Sequence, residues 1–213
     1  MTTTNLSDWP HAPVDDETIA EKRVDPMKPH LMIDLETMDT EPSGAIVSIG
    51  ACKFDMRTGD IVDTFYAAIS LEDAVKEGRT MSPGTVLWWM TQGDAAREAL
   101  VTDTVGMRHA LTQFQLFAKG QEDGIVWAND PDFDCVMLRS AMQSVGLMYP
   151  FKFWNHRSVR TAKHLSHPNG DFPAFSFGED GVAHNALDDA IKQAAEVIFA
   201  VKLIEQGLPS ETF

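Results

Sequence analysis

Leu31-Met32-Ile33-Asp34-Leu35-Glu36-Thr37 decides how this chain is read: an apolar run ending in two acids one residue apart. On a β-strand, residues i and i+2 point to the same side, so Asp34 and Glu36 can grip one hard cation between them. The theme recurs downstream. An isolated Asp134 follows the apolar stretch Ile125-Val126-Trp127, and His184-Asn185-Ala186-Leu187-Asp188-Asp189-Ala190 opens a long helical segment near the C-terminus. Carboxylates forced together oppose one another's ionisation unless cations neutralise them. Two divalent ions about 4 Å apart would also form a clamp suited to in-line displacement at a phosphodiester.

Outward from that run the pattern stays strand-like. Leu31 to Leu35, Ala45 to Phe54 and Ile61 to Ile69 are candidate strands, the last two joined by the tight-turn signature Arg57-Thr58-Gly59-Asp60. Ser82-Pro83 then starts a helix through Val86-Leu87-Trp88-Trp89, and Val105 to Phe117 carries helical spacing. A short buried strand is expected at Ile125 to Ala128, a helix from about Pro131 to Val145, a short strand near Phe151 to Trp154 and a helix around Val159 to Leu165. Residues 166 to 183 form a loop, and a last helix runs from about Asn185 to Glu205. Three strands in a meander followed by alternating helix and strand predict an α/β fold, a mixed central sheet flanked by helices. Residues 1 to 28 are polar, acidic and spotted with proline, and read as a flexible arm; residues 29 to 213 form one domain.

At 213 residues, 44% apolar, the chain can bury a full core. Its two cysteines, Cys52 and Cys135, stand in unlike contexts and are expected to be free thiols in a reducing compartment. With no apolar signal core and no run of membrane-spanning length, the expected location is cytoplasmic, away from any membrane. A net charge of −15 opposes extensive wrapping of nucleic acid. Four of those acids belong to the candidate cation site, however, and two bound divalent ions would offset that cluster, so the expectation is a local electropositive pocket on an acidic body.

At about 100° per residue, Ala186, Ala190, Ala194, Val197, Val201 and Ile204 form one apolar stripe on the last helix. Asp189 then lies at the stripe's margin and can look into a cleft beside the sheet, whereas Asp188 falls nearly opposite, in solvent. His184 precedes this helix on a loop flanked by Gly178 and Gly181, a sensible place for a general base. Each part has a structural reading as well: Asp134 could be a helix N-terminal charge, and His184 a capping residue. Trp88 and Trp89 point about 100° apart, which puts one in the core and the other at a rim where an indole could stack on a base.

Taken together, Asp34-x-Glu36-Thr37, Phe133-Asp134 and His184-x-Ala186-x-x-Asp189-Ala190 resemble the DEDDh branch of the DnaQ-like 3′→5′ exonucleases, which have an RNase H-like fold. Thr85-Val86-Leu87-Trp88-Trp89 with Gln92, and Lys152-Phe153-Trp154-Asn155 with Arg157 and Arg160, are similar to the exonuclease A group of T-even phages and a related mycobacterial exoribonuclease group. The resemblance spans roughly residues 30 to 205. Ser158 departs from it, standing where the phage group is expected to carry an acid. The resemblance implies two Mg²⁺ or Mn²⁺ ions, with Asp34, Glu36 and Asp189 holding one and Asp34 and Asp134 supporting the other. His184 would be the general base, and nucleoside 5′-monophosphates the product. Asp130, Asp132 and Asp134 crowd together; Asp134 is preferred because Phe133-Asp134 fits the family pattern and an apolar-faced helix follows. Substrate contacts are expected from Thr37, Met38, Trp88, Trp89, Gln92, Asn129, Phe153, Arg157 and Arg160. The expected partner is a single-stranded 3′ end, DNA in the first reading and RNA in the second. A catalytically idle nucleic-acid or protein-binding module on the same fold is the reading from a different class.

Overall fold

The computed structural model describes residues 28–177 and 181–207. Apart from Lys28, the expected N-terminal arm lies outside the described residues. Strands β1 (His30–Thr37), β2 (Ile46–Phe54) and β3 (Ile61–Ala68) form the antiparallel meander, and β4 (Val126–Ala128) and β5 (His156–Ser158) extend it by parallel pairing. The order across the sheet is β3-β2-β1-β4-β5, so the sheet is mixed and β1 is central.

Alternation along β1 sorts its side chains onto two faces. Leu31, Ile33 and Leu35 join the larger core beneath α4 (Met107–Phe117) and α5 (Asp134–Ser144), where Leu111, Phe114, Leu138 and Met142 are fully buried. Each such side chain contributes about 1.5 to 3 kcal/mol of hydrophobic stabilisation. Met32 faces the other way with Cys52, Phe54 and Trp127, into a second core closed by α6 (Val159–Ser166) and α7 (Ala186–Gln206). Asp34 and Glu36 continue that second series, Met32, Asp34, Glu36, along the same face. The two cysteines are free and buried on opposite faces of the sheet.

The remaining helices are α1 (Leu71–Lys76), α2 (Pro83–Met90) and α3 (Asp94–Ala99). Ser82 caps α2 as expected: its hydroxyl accepts the Thr85 N–H at 3.1 Å, with Pro83 at the first helical position. Helices α1 and α3 were not anticipated, because each is only six residues long and shows no full period of apolar spacing. Residues 151 to 154 are not a strand. Phe153–Asn155 forms a 3₁₀ turn, and the pairing strand follows it at His156–Ser158. Only Phe151 and Asn155 of that stretch are buried, so alternation was a poor guide there.

The stripe of α7 also differs from expectation. Ala186, Ala190, Ala194 and Val197 are buried, but Ala200 and Leu203 continue the series, while Ile204 is exposed and Val201 only half-buried. The helix meets the sheet at its first turns and packs along α6 further on, so the buried side rotates. Buried Glu196 belongs to that later contact, accepting Lys163 Nζ of α6 at 2.9 Å.

Helix α7 reaches the sheet closely because β2 carries Gly50 beneath its first turn. A Cβ there would lie 2.0 Å from the Ala186 carbonyl carbon and 2.2 Å from the Leu187 nitrogen. Both obstacles are backbone, so no side-chain rotation relieves the clash. Gly50→Ala should therefore destabilise the protein by about 3 kcal/mol or more, at the upper end for overpacking. Urea denaturation measures this. A midpoint unchanged from the parent would mean that α7 does not rest on β2.

Candidate active site

The parallel pairing of β1 with β4 ends at Met32↔Trp127 and β4 itself ends at Ala128, so β1 runs on past its neighbour as Asp34-Leu35-Glu36-Thr37. This leaves a crevice beyond the carboxyl ends of parallel strands, the customary position for a site in such sheets. Asp34 pairs with Gly50 across β2, and a bulge after Glu36 changes the register, Glu36↔Ser48 being followed by Thr37↔Ile46. The chain leaving β4 crosses the mouth through residues 129 to 133 and enters α5 at Asp134. That carboxylate is buried and accepts backbone N–H groups, including that of Leu35 on the uncovered edge of β1.

The first turn of α7 supplies the opposite wall. Asn185 caps it, its side chain accepting the Leu187 and Asp188 N–H groups at 3.0 and 3.4 Å. His184, just before the cap, has φ of 65°, a left-handed conformation uncommon outside glycine. Its own N–H donates to Asp189 Oδ2 at 2.8 Å, and its ring meets Trp88 edge-on with centroids 5.0 Å apart and Trp89 at 6.2 Å. Ligand atoms of Glu36, His184 and Asp189 lie within 4.8 Å of one another. Asp34, Glu36, Asp134, His184 and Asp189 thus line one cavity of about 460 Å³, together with Asn129, Arg160 and Gln193.

Electrostatics mark this pocket. Burial first, then the charges of Asp134, Glu36 and Asp189, hold the Asp34 carboxyl well above the usual carboxylate range. Glu36 is pushed up to about 8 by burial and by Asp189 and Asp134. Burial raises Asp134 to about 7 against the backbone N–H groups that favour its charged form. Asp189 is raised as well, chiefly by burial, with the His184 N–H pulling it down. Four carboxyl groups that resist ionisation together are a donor set suited to hard divalent cations.

Gln193, one turn beyond Asp189 on α7, was not anticipated. It is buried, donates Nε2 to Asp34 Oδ1 at 2.7 Å and leaves its own Oε1 without a partner. Helical spacing from Asp189 could have flagged it, but glutamine near a helix margin has no distinctive signal.

The other expected contacts divide. Trp89 is the buried indole, donating Nε1 to the Thr37 carbonyl at 2.9 Å, and Trp88 is the exposed one at the rim. Asn129 and Arg160 line the pocket, Arg160 paired with Asp130 at 3.3 Å. Phe153 stands outside it, 67% exposed, on an adjoining cavity. Four residues depart from expectation. Met38 is buried in the larger core, because the chain turns inward after the bulge. The Thr37 hydroxyl is engaged by the Asp39 carbonyl. Gln92 turns back to the Trp88 carbonyl at the end of α2, and Arg157 donates to the carbonyls of Trp154 and His156. Asp188 is not opposite the sheet in open solvent; half-buried, it accepts the Val182 N–H at 2.9 Å and ties the preceding loop to the helix. Ser158 caps α6, accepting the Thr161 N–H at 3.2 Å, a service that an acid in its place would also perform. Gly178, one of the two glycines expected to flank the His184 loop, lies outside the described residues.

Comparison with known proteins bears on the family and the fold. A family model described as the Rv2179c-like 3′-5′ exoribonuclease domain matches residues 29–200. The exodeoxyribonuclease of Enterobacteria phage T4 is 23% identical over 201 residues, covering 80% of this chain and 88% of that protein. Among solved structures, the nuclease domain of 3′hExo, a DEDDh family member bound to rAMP, superposes with a TM-score of 0.53 at 16% identity, covering 82% of this chain and 92% of that one. The E. coli ExoI–ssDNA complex in its zinc-bound form gives a TM-score of 0.54 at 16% identity over 84% of this chain, which spans only 41% of that longer one. The chain therefore belongs to the Rv2179c-like 3′-5′ exoribonuclease domain family, and it is a 3′→5′ exonuclease on the RNase H-like fold of the DEDDh enzymes.

Proposed function

We propose that the enzyme removes nucleoside 5′-monophosphates one at a time from the 3′ end of single-stranded DNA, using two Mg²⁺ or Mn²⁺ ions. The observation that carries this reading is the convergence of Asp34, Glu36, Asp134, Asp189 and His184 on one cavity. The charges of Asp134, Glu36 and Asp189 all act on Asp34; Glu36 and Asp189 would hold one ion with it, and Asp134 would support the second. Bound there, the ions would make a water more acidic and offset charge at the attacked phosphate and the leaving 3′-oxygen. The rest falls to the chain. His184, fixed by its left-handed backbone and two indoles, takes the proton of the attacking water. Gln193 holds one oxygen of Asp34, leaving the other for an ion, and Arg160 offers a cation to the phosphate at the mouth. The DNA preference is supported by the phage relative, an exodeoxyribonuclease. The second reading, an exoribonuclease, is favoured by the description of the family model.

Digestion of matched DNA and RNA oligonucleotides, single-stranded, 3′-overhanging and blunt, tests both. Mononucleotides should appear from a free 3′ end with Mg²⁺ or Mn²⁺ and scarcely with Ca²⁺, whose looser coordination misplaces the attacking water. Efficient cutting of a circular strand would contradict the reading. His184→Ala should lower turnover by roughly 10²- to 10⁴-fold while retaining ion binding. Asp189→Asn should abolish turnover with the fold preserved. Asp188→Asn should cost only about 0.3 to 1 kcal/mol of stability, as a charge lost near a helix N-terminus, and keep most of the activity. If the Asp188 and Asp189 results were reversed, the assignment on α7 would be wrong.

The crowded acids also predict a pH dependence. Glu36 and Asp134 bind protons more tightly in the folded state, at about 8 and about 7, than carboxyls do in an unfolded chain. Their contribution is present in acid and is lost as pH rises towards 8, so in chelator the melting temperature should fall across that interval. Mg²⁺ should restore it, most strongly at the alkaline end. Glu36→Gln should flatten the decline, and a melting temperature indifferent to Mg²⁺ at pH 8 would count against the ion site.

A further inference from the structure

The cavity around the carboxylates does not end at its own walls. It shares Asp130 and Arg160 with a second cavity of about 670 Å³, which in turn shares Arg139 and Phe153 with a third of about 430 Å³. Three cavities with common walls make one trough leading away from the catalytic acids. We propose that this trough seats the single-stranded nucleic acid on the 5′ side of the nucleotide being removed, a reading that rests on the exonuclease function above.

The lining alternates two chemistries. Arg160, Arg139 and Lys152 are spaced along the trough, which also carries Asp130 and Asp132, so it offers cations at intervals on a chain of net charge −15. Between the second and third cavities stands Phe153, 67% exposed, backed edge-on by Trp154 at 4.9 Å between ring centroids. The 3₁₀ turn Phe153–Asn155 buries Asn155 alone and lifts both rings to the surface, so core packing does not account for them. Val136 and, further out, Met148, 81% exposed, extend the apolar part. A polymer of stacked bases joined by phosphates matches such an alternation: every base offers a face to an aromatic ring, and every linkage a charge to a cation.

The cations are held in positions from which phosphate can recruit them. Arg160 pairs with Asp130 at 3.3 Å and Lys152 with Asp123 at 2.5 Å, both in solvent, where ion pairs hold loosely. The Arg139 guanidinium lies over the Tyr149 ring at 4.8 Å, which fixes it without satisfying its charge. The catalytic acids line only the first of the three cavities, so the terminal nucleotide occupies that end, and the remaining strand leaves along Arg160 and Phe153.

The test uses the whole protein with 5′-labelled DNA and RNA oligonucleotides of two to eight nucleotides. With Mg²⁺, KM should fall at least tenfold between two and five nucleotides while kcat changes little. Phe153→Ala should raise KM for a hexanucleotide about fivefold or more, the range for loss of one stacked base. Lys152→Ala should reduce the slope of log affinity against log salt by about 0.7, the value for one phosphate contact on a single strand. Both effects should be confined to substrates long enough to reach the trough. A KM independent of length, or a hexanucleotide unaffected by both variants, overturns the proposal and leaves the trough to another partner, such as a protein loop. Binding of a fluorescein-labelled hexanucleotide in chelator, followed by anisotropy, separates this from the exonuclease reading. Binding weakened by Phe153→Ala supports the trough even if no strand is cut, whereas absence of cutting at every length overturns only the exonuclease reading.

Discussion

The first turn of α7 rests backbone to backbone on Gly50 of β2, and the site depends on that contact. Asp34 pairs across the sheet with Gly50, so the helix that descends there brings Asp189 and His184 over the acids of β1. A side chain at position 50 would lift the helix by the depth of a methyl group, and the ligand atoms of Glu36, His184 and Asp189 could no longer lie within 4.8 Å of one another. The small residues Ala186, Ala190 and Ala194 extend the same close approach along the helix. Residues with no chemistry of their own thus set the geometry of those that have it.

Closeness has an electrostatic cost. Asp34, Glu36, Asp134 and Asp189 are each held above the ordinary carboxylate range, burial being the largest cause in every case. Part of the strain is met by the chain itself, through the amide of Gln193 on Asp34 and the backbone N–H groups on Asp134 and Asp189. The remainder is what bound divalent cations would relieve. Fold stability and readiness to bind ions are in this sense one property of the pocket.

The chain's acidity is compatible with a nucleic-acid substrate because charge acts locally at physiological ionic strength, where screening sets in over about 8 Å. Cations are sparse along the route away from the site, and aromatic surface stands among them, so binding there would draw on stacking as much as on charge. That suits a strand held by its end more than one wrapped over a long path.

How much of this was legible in advance varies with the range of the physics involved. Strand alternation is local, so the sequence alone placed Asp34 and Glu36 on one side of β1. The 3.6-residue period likewise turned Asp189 rather than Asp188 towards the cleft, though Asp188 is half-buried and not in open solvent, and it put one of Trp88 and Trp89 in the core without saying which. The order of the motifs pointed to the family, and with it to the mixed sheet. What no local period encodes is which surfaces meet. The rotation of the buried side of α7 onto Ala200 and Leu203, the inward turn of Met38, the amide of Gln193 on Asp34 and the 3₁₀ turn that exposes Phe153 all follow from one element packing on another. Sequence determined which residues could do the chemistry and which way each would point within its own helix or strand. The distance between them was decided only by tertiary packing, above all by the space left at Gly50, because close approach is a property of two surfaces and is written in neither one alone.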